Sequence, residues 1–453
     1  ATKFAATAPP RPYSKRSISY KKGKNKVHMK KDTIAMAVFL VVGIAVNAIL
    51  ITNHAKTPRP KQETTQTEKN ESSAFSFVGV GDHLIHEPVY YYQTQPYHFD
   101  SIYEATKPAI QDADLAFINA ETLMAGESFG LGGYPMFNGP KELVDALDRT
   151  GFDWLALSSN HTLDRGVEGL QAQLDDLATR FPHISVTGSH RTADEPYIVR
   201  DINGIRVGLL GYTYGLNGME LPEGEEYRVD RIDEAKIRHD MEQLSKISDV
   251  QLVSMHWGEE YNTQITEEQA RYARLLHELG AEVVIGTHPH VIGPVEILKG
   301  EQQDTLVYYS LGNFLSAQDR PECMVGGMAA FDLRYDFATK KATFANVRLI
   351  PTITYVSSDL QTYSTHTIHD YDDALGERAK RNARHQSLRQ RVCAVGRRPS
   401  GRGGSRARVK RQKHGMFQVD FSLTKARISR KLNICVKSNH MLFKYRVITQ
   451  KAI

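Results

Sequence analysis

The residues best suited to chemistry are carboxylates, an amide and imidazoles that close successive apolar runs: Asp82, Glu121, Asn160 with His161, His256, and His288 with His290. Such a mixed set of oxygen and nitrogen donors suits one or two divalent ions, with manganese, iron, zinc and magnesium all compatible. A carboxylate can bridge two ions about 3.5–4 Å apart, and such a pair clamps the attacking and leaving oxygens of a displacement while lowering the pKa of a bound water. Ester hydrolysis is the chemistry this set predicts. Each element alone is weak, since an HxH pair is common in surface loops and an Asp after a strand usually caps a turn. The weight comes from their recurrence at five separate run ends.

The runs themselves read as strands. They are Phe75–Asp82, Leu115–Glu121, Trp154–His161, Arg206–Thr213, Val250–Gly258, Glu282–His290 and Thr305–Phe314, and amphipathic stretches such as KELVDALDRTG and EEQARYARLLHELG lie between most of them. Short β-branched runs alternating with longer amphipathic ones predict an α/β domain. In such folds the carboxyl ends of strands border the ligand crevice, so the terminal polar residues are expected to meet in space. His86 follows Asp82 closely enough to be a ligand or a phosphate-side contact, whereas His83 is expected to be exposed. His183, His190 and His277 fall in turn-like or helical surroundings and are expected to stay outside the site.

Upstream of the domain, Thr33 to Thr52 is an uncharged apolar run. About 20 such residues, rising 1.5 Å each, span a hydrocarbon core of about 30 Å. Lys and Arg crowd the preceding segment, including Lys21, Lys22, Lys24, Lys26, Lys30 and Lys31, which predicts a cytoplasmic N-terminus and an extracytoplasmic domain. The run is longer than the hydrophobic region of a cleaved signal peptide, so an uncleaved anchor is expected. The expected order is a basic segment at 1–32, an anchor at 33–52, a polar stalk at 53–73, the folded domain at 74–372 and a basic tail at 373–453. Cys323, Cys393 and Cys435 are too few and too scattered for a disulfide framework or a cysteine zinc site. The tail is rich in Arg, Gly and Ser, and from Lys380 to Ile453 its one acidic residue is Asp420. It reads either as a cationic arm for an anionic polymer or as a segment foreign to the domain, the second being preferred; nucleic acid is not an expected partner outside the cell.

The stretches GDHLIH (Gly81–His86), ADLAFINAET (Ala113–Thr122), SSNHTLDRGVEGL (Ser158–Leu170), HWGEEY (His256–Tyr261), GTHPHVIGPVE (Gly286–Glu296) and YSLGNF (Tyr309–Phe314) resemble, in order, those of the CapA (PgsA) family of poly-γ-glutamate capsule synthesis. The resemblance implies a metallophosphoesterase-like four-layer α/β/β/α sandwich preceded by one transmembrane helix. It implies that Asp82, Glu121, Asn160, His256, His288 and His290 hold metal, with Glu121 where phosphoesterases carry a bridging aspartate. His161 would be a general acid facing the leaving group and Asp164 its orienting carboxylate; Asn119 and Asn313 would support the site or face substrate. Ala120, Ser159 and Thr287 depart from the motifs NLE, NNH and GHHPH, each beside a ligand position rather than on one. The expected partners are an anionic polymer and the other membrane subunits of a polyglutamate synthase and exporter. Two functions follow: a metal-dependent hydrolase acting on an anionic envelope polymer or its phosphorylated precursor, or a non-catalytic polymer-binding subunit of that assembly.

Overall fold

A computed structural model describes residues 71–357 and 359–371. The expected anchor at 33–52, the basic segment before it, stalk residues 53–70 and the tail at 373–453 lie outside the described residues. Among the described residues no helix is long and apolar enough to cross a membrane.

Fourteen strands are described: β1 Ser72–Leu84, β2 Leu115–Asn119, β3 Trp154–Ala156, β4 Ser185–Thr187, β5 Ile198–Ile202, β6 Ile205–Thr213, β7 Val250–His256, β8 Val283–Thr287, β9 Val295–Leu298, β10 Thr305–Tyr308, β11 Asn313–Ser316, β12 Val325–Asp336, β13 Lys341–Val356 and β14 Tyr363–Thr367. The helices are α1 Asp100–Tyr103, α2 Lys107–Gln111, α3 Glu142–Thr150, α4 Gly166–Arg180, α5 Glu234–Ser245 and α6 Glu267–Glu278. One sheet has eight strands in the order β14-β13-β12-β1-β2-β3-β4, with β11 also paired to β1; the other has six, β5-β6-β7-β8-β10-β9. Parallel pairing of β1 through β4, and of β6 through β8 with β10, forms the centre of each sheet.

Side chains alternate across each strand, and the apolar ones sort accordingly. From Phe77, Phe117 and Trp154 one set points at Val207, Leu252, Ile285 and Tyr308, filling the space between the sheets. Their neighbours Val78, Ile118 and Leu155 point outward, where Leu143 and Leu147 of α3 and Leu170 and Leu174 of α4 cover them. On the second sheet Val253 and Val284 pack against Ile237 and Leu244 of α5 and Leu276 of α6. The layers therefore run helices, sheet, sheet, helices. Burying each of these large side chains contributes about 2 kcal/mol. Helix ends are set locally: Thr266 and Gln269 form a reciprocal capping box on α6, and Asp233 accepts the Lys236 amide at the start of α5. Such caps are each worth about 1 kcal/mol.

Several boundaries differ from expectation. β1 begins at Ser72, so the domain starts inside what the sequence suggested as stalk. The run Thr305–Phe314 is two strands in different sheets: β10 ends at Tyr308, and Gly312, at φ +64°, turns the chain so that Asn313 opens β11 beside β1. A side chain at Gly81 would bring its Cβ to 1.9 Å from the Gly312 carbonyl oxygen, so β1 and this crossing can approach only because position 81 has none. His83 is fully buried, not exposed, and its Nε2 lies 2.6 Å from the Tyr103 hydroxyl. The β1–β11 ladder shifts register between Asp82 and His83, and His83 meets Tyr103 of the helix-side core.

Candidate metal centre

Both sheets contribute to one buried cluster at the carboxyl ends of their parallel strands. Asp82 comes from β1, where the ladder to β2 shifts register between Val80 and Asp82. Glu121 lies two residues beyond β2, and Asn160 and His161 lie in the turn after β3, so both strands end before the runs that the sequence suggested. His256 closes β7, and His288 and His290 follow β8.

Hydrogen bonds fix most of these side chains. The Asn119 amide donates to Asp82 Oδ1 at 2.9 Å, and the His288 backbone N–H donates to the same oxygen at 3.1 Å. His290 Nδ1 lies 3.0 Å from Asp82 Oδ2 and 3.0 Å from Asn313 Oδ1. His256 Nε2 is 2.9 Å from Asn160 Oδ1, while its Nδ1 is 3.1 Å from the Thr287 hydroxyl. Thr287, one of the departures from the family motif, thus holds a ligand candidate in place. Ser159, another, accepts the His161 amide and donates to the Glu121 carbonyl. His288 and His290 hold positive φ values of 94° and 59°. Such backbone in non-glycine residues costs on the order of 1–3 kcal/mol each and persists where surrounding contacts impose it. Here those contacts include the bonds to Asp82 and the Tyr261 amide donating to the Pro289 carbonyl at 2.7 Å.

Glu121 is the exception. Both its oxygens are buried without a hydrogen-bond partner, as are His288 Nδ1 and Asn119 Oδ1. A buried carboxylate without a partner is costly unless a cation completes it. Burial, then the nearby Asp82 charge, raises the Glu121 carboxyl well above the usual range. Burial would also lower His290, yet Glu121 and the bond and charge of Asp82 raise it to about 9. Burial lowers His288 to about 3, with His290 adding to the effect, and pulls His256 well below the usual imidazole range. Neutral imidazoles beside unpartnered carboxylate oxygens form a donor set that fits a divalent cation. Two triads have donor atoms mutually within 4.8 Å: Glu121, His288 and His290, and Asp82, Glu121 and His256. Glu121 belongs to both.

The Asn160 amide oxygen meets His256 Nε2, the same nitrogen that faces Glu121 Oε1 at 3.8 Å. His161 Nδ1 is 2.8 Å from Asp164 Oδ2, and that oxygen also accepts the Phe137 amide at 2.5 Å. Phe137 sets its ring edge-on to His161 and His86, with centroids 4.6 and 5.0 Å away. His86 is bound to the Leu84 carbonyl and Ala317 amide and joins neither triad; its neighbours His290 and His161 add to the lowering by burial, to about 4. Asn313 anchors His290 and spends its amide on Gln318 and the Cys323 carbonyl. His183, His190 and His277 pair with Asp148, Asp230 and Thr305.

Sequence reasoning missed two residues of the loop after β6. Asn217 accepts from the Asn160 amide at 3.1 Å and lies 3.5 Å from His161 Nδ1, and Tyr214 sets its ring 4.6 Å from His288. The strand-end rule that found the other residues, applied past Thr213, finds these.

Two packed sheets with a carboxylate and imidazole cluster at their common edge define a mixed α/β protein with a buried candidate metal centre. Residues 76–318 match the family described as bacterial capsule synthesis protein PGA_cap, and the chain belongs to that family, of poly-γ-glutamate synthesis. It is similar to the PGA biosynthesis protein CapA of Bacillus subtilis (strain 168), 28% identical over 293 residues that span 61% of this chain and 72% of that one. It is also similar to the capsule biosynthesis protein CapA of Bacillus anthracis, 25% identical over 201 residues, 43% of this chain and 47% of the other. Among solved structures it is similar to a putative 5'-nucleotidase from Staphylococcus aureus in complex with alpha-ketoglutarate, at 16% identity and TM-score 0.41, over 62% of this chain and 54% of that one. A 5'-nucleotidase precursor from Thermus thermophilus aligns at 16% identity and TM-score 0.39, over 71% of this chain and 60% of that one.

Proposed function

We propose that the protein is a divalent-metal hydrolase of capsule assembly, acting on an anionic envelope polymer or its phosphorylated precursor. Asp82, Glu121, Asn160, His256, His288 and His290 would hold the metal. The observation that carries this reading is Glu121, whose two buried oxygens lack any hydrogen-bond partner while facing His256 and His290. When bound, the metal would supply Lewis acidity at the reacting oxygen. His161 would hand a proton from Nε2 to the leaving oxygen, with Asp164 at Nδ1 orienting the ring. Phe137 holds both partners of that pair and keeps water from one side of the ring. The chain would be held at the cell membrane by 33–52, with the domain outside and the other synthase and exporter subunits beside it.

Metal analysis of the purified protein, paired with hydrolysis assays on phosphoesters and γ-linked glutamate chains, tests the reading. Stoichiometric metal and turnover that both vanish in Asp82→Ala are expected. A metal-free protein, or an Asp82→Ala variant that restores capsule fully in a deletion strain, would sink it. Metal retained with His161→Ala fully functional would favour the non-catalytic polymer-binding role.

A further inference from the structure

Beside the metal cluster, on its solvent side, Arg320 lies over the ring of Tyr261 with its guanidinium carbon 3.8 Å from the ring centroid. Tyr261 is tied to the cluster from two directions. Its amide donates to the Pro289 carbonyl, between the two histidines of the HPH turn, and its ring centroid is 6.1 Å from that of His290. Its hydroxyl accepts from Gln318 at 3.4 Å, Gln318 accepts from the Asn313 amide at 2.8 Å, and Asn313 holds His290. Tyr261 stands at φ +66°, a conformation that non-glycine residues hold only when contacts impose it. The platform under Arg320 is thus built and continuous with the ligand residues.

A guanidinium stacked on an aromatic face spends none of its N–H groups on the stack, and the planar fork matches an oxyanion. Arg320 is exposed, and it takes part in none of the ion pairs described among the described residues. Glu260, which bonds Tyr261, and Asp319 and Glu322, which flank Arg320 in the chain, are the acidic groups at this edge; all three are exposed and therefore screened by salt.

We propose that Arg320, seated on Tyr261, is the specificity residue that takes an oxyanion of the substrate, carboxylate or phosphate, next to the reacting group. This deepens the hydrolase reading and rests on it only for the word substrate, since anion affinity can be measured without turnover. A Lys at 320 would keep the charge and lose the fork, and a Gln would lose both.

The experiment uses the full chain with manganese and measures binding of a short γ-linked glutamate oligomer and, separately, of inorganic phosphate by calorimetry at low and high salt. Arg320→Gln is expected to weaken at least one of them about ten-fold or more, with Arg320→Lys in between and metal content equal to that of the parent. Loss confined to the oligomer identifies a carboxylate, and loss confined to phosphate identifies a phosphoryl group. Unchanged affinity for both probes in Arg320→Gln overturns the proposal. A parent protein that takes up no metal would defeat the hydrolase reading while leaving the comparison of Arg320 variants decisive.

Discussion

Glu121 Oε1 stands 3.8 Å from His256 Nε2, both fully buried, too far for a hydrogen bond and near enough to share a cation. His290 Nε2 approaches the same oxygen to 3.9 Å, so Glu121 faces two imidazoles without bonding to either. The cluster is shaped for something placed between its members.

Glu121→Gln should therefore separate folding from metal. The amide fills the same volume without a buried charge, so the metal-free variant should melt no lower than the metal-free parent. Because burial raises the Glu121 carboxyl in the folded state, the metal-free parent should lose stability as pH rises through that raised pKa, and the variant should lack this loss. Metal at about 100 times its dissociation constant should stabilise the parent by about 2.7 kcal/mol and the variant far less. Thermal melts with manganese and with chelator, across pH, check both. A variant stabilised by metal as strongly as the parent would remove Glu121 from the ligand set.

Removal of the His161 side chain should cut turnover by about 100-fold to 10,000-fold with metal content unchanged. Asp164→Asn keeps the shape but forfeits the carboxylate that orients the ring at Nδ1, so it should lower the rate. Asn217→Ala, which frees both Asn160 and His161, should lower the rate about ten-fold while the melting temperature stays near that of the parent. Rates and metal stoichiometry measured on the same preparations decide the matter. Loss of metal in His161→Ala would move that residue from proton transfer to ligation.

Glu282 lies far from the cluster, at the start of β8, where burial pushes its carboxyl up to about 8 even though its Oε2 accepts the Gln251 amide at 2.6 Å. The folded state prefers the neutral acid. Its contribution to stability is complete below the ordinary carboxyl value of 4.5, declines as pH rises, and is lost above about 8. Glu282→Gln preserves an acceptor for Gln251 and does not titrate, so its urea midpoint should equal or exceed the parent's at pH 8.5, by a few kcal/mol in free energy, and the gap should close near pH 5. Parallel pH dependence in the two proteins would show that Glu282 is solvated.

The strand ends carried much of the site because parallel strands must be apolar on both faces, and the first polar residue past such a run stands at the crevice. Asp82, His256 and the HPH turn were legible for that reason. The long antiparallel strands β12 and β13 were not. β12 opens Val325-Gly-Gly-Met-Ala-Ala because β11 and β13 crowd it: a Cβ at Gly326 would stand 1.9 Å from the Asn313 carbonyl oxygen. β13 carries Pro351, one residue outside its pairing with β14, and much of its first half is exposed, so neither proline nor periodicity marked it as a strand. The burial of His83 was hidden for a different reason, since the partner that makes it tolerable, Tyr103, comes from a helix that no local pattern links to β1.

The crossing at Gly312 joins the two sheets, and the cluster it borders draws Asp82 and Glu121 from one and His256, His288 and His290 from the other. Neither half carries a complete set. A chain still emerging, or one whose sheets have parted, offers only scattered weak donors, so an ion bound by the full set would arrive after folding is finished. Such an ion would be chosen by the compartment in which the last of those strands docks, rather than by the one in which the chain is made.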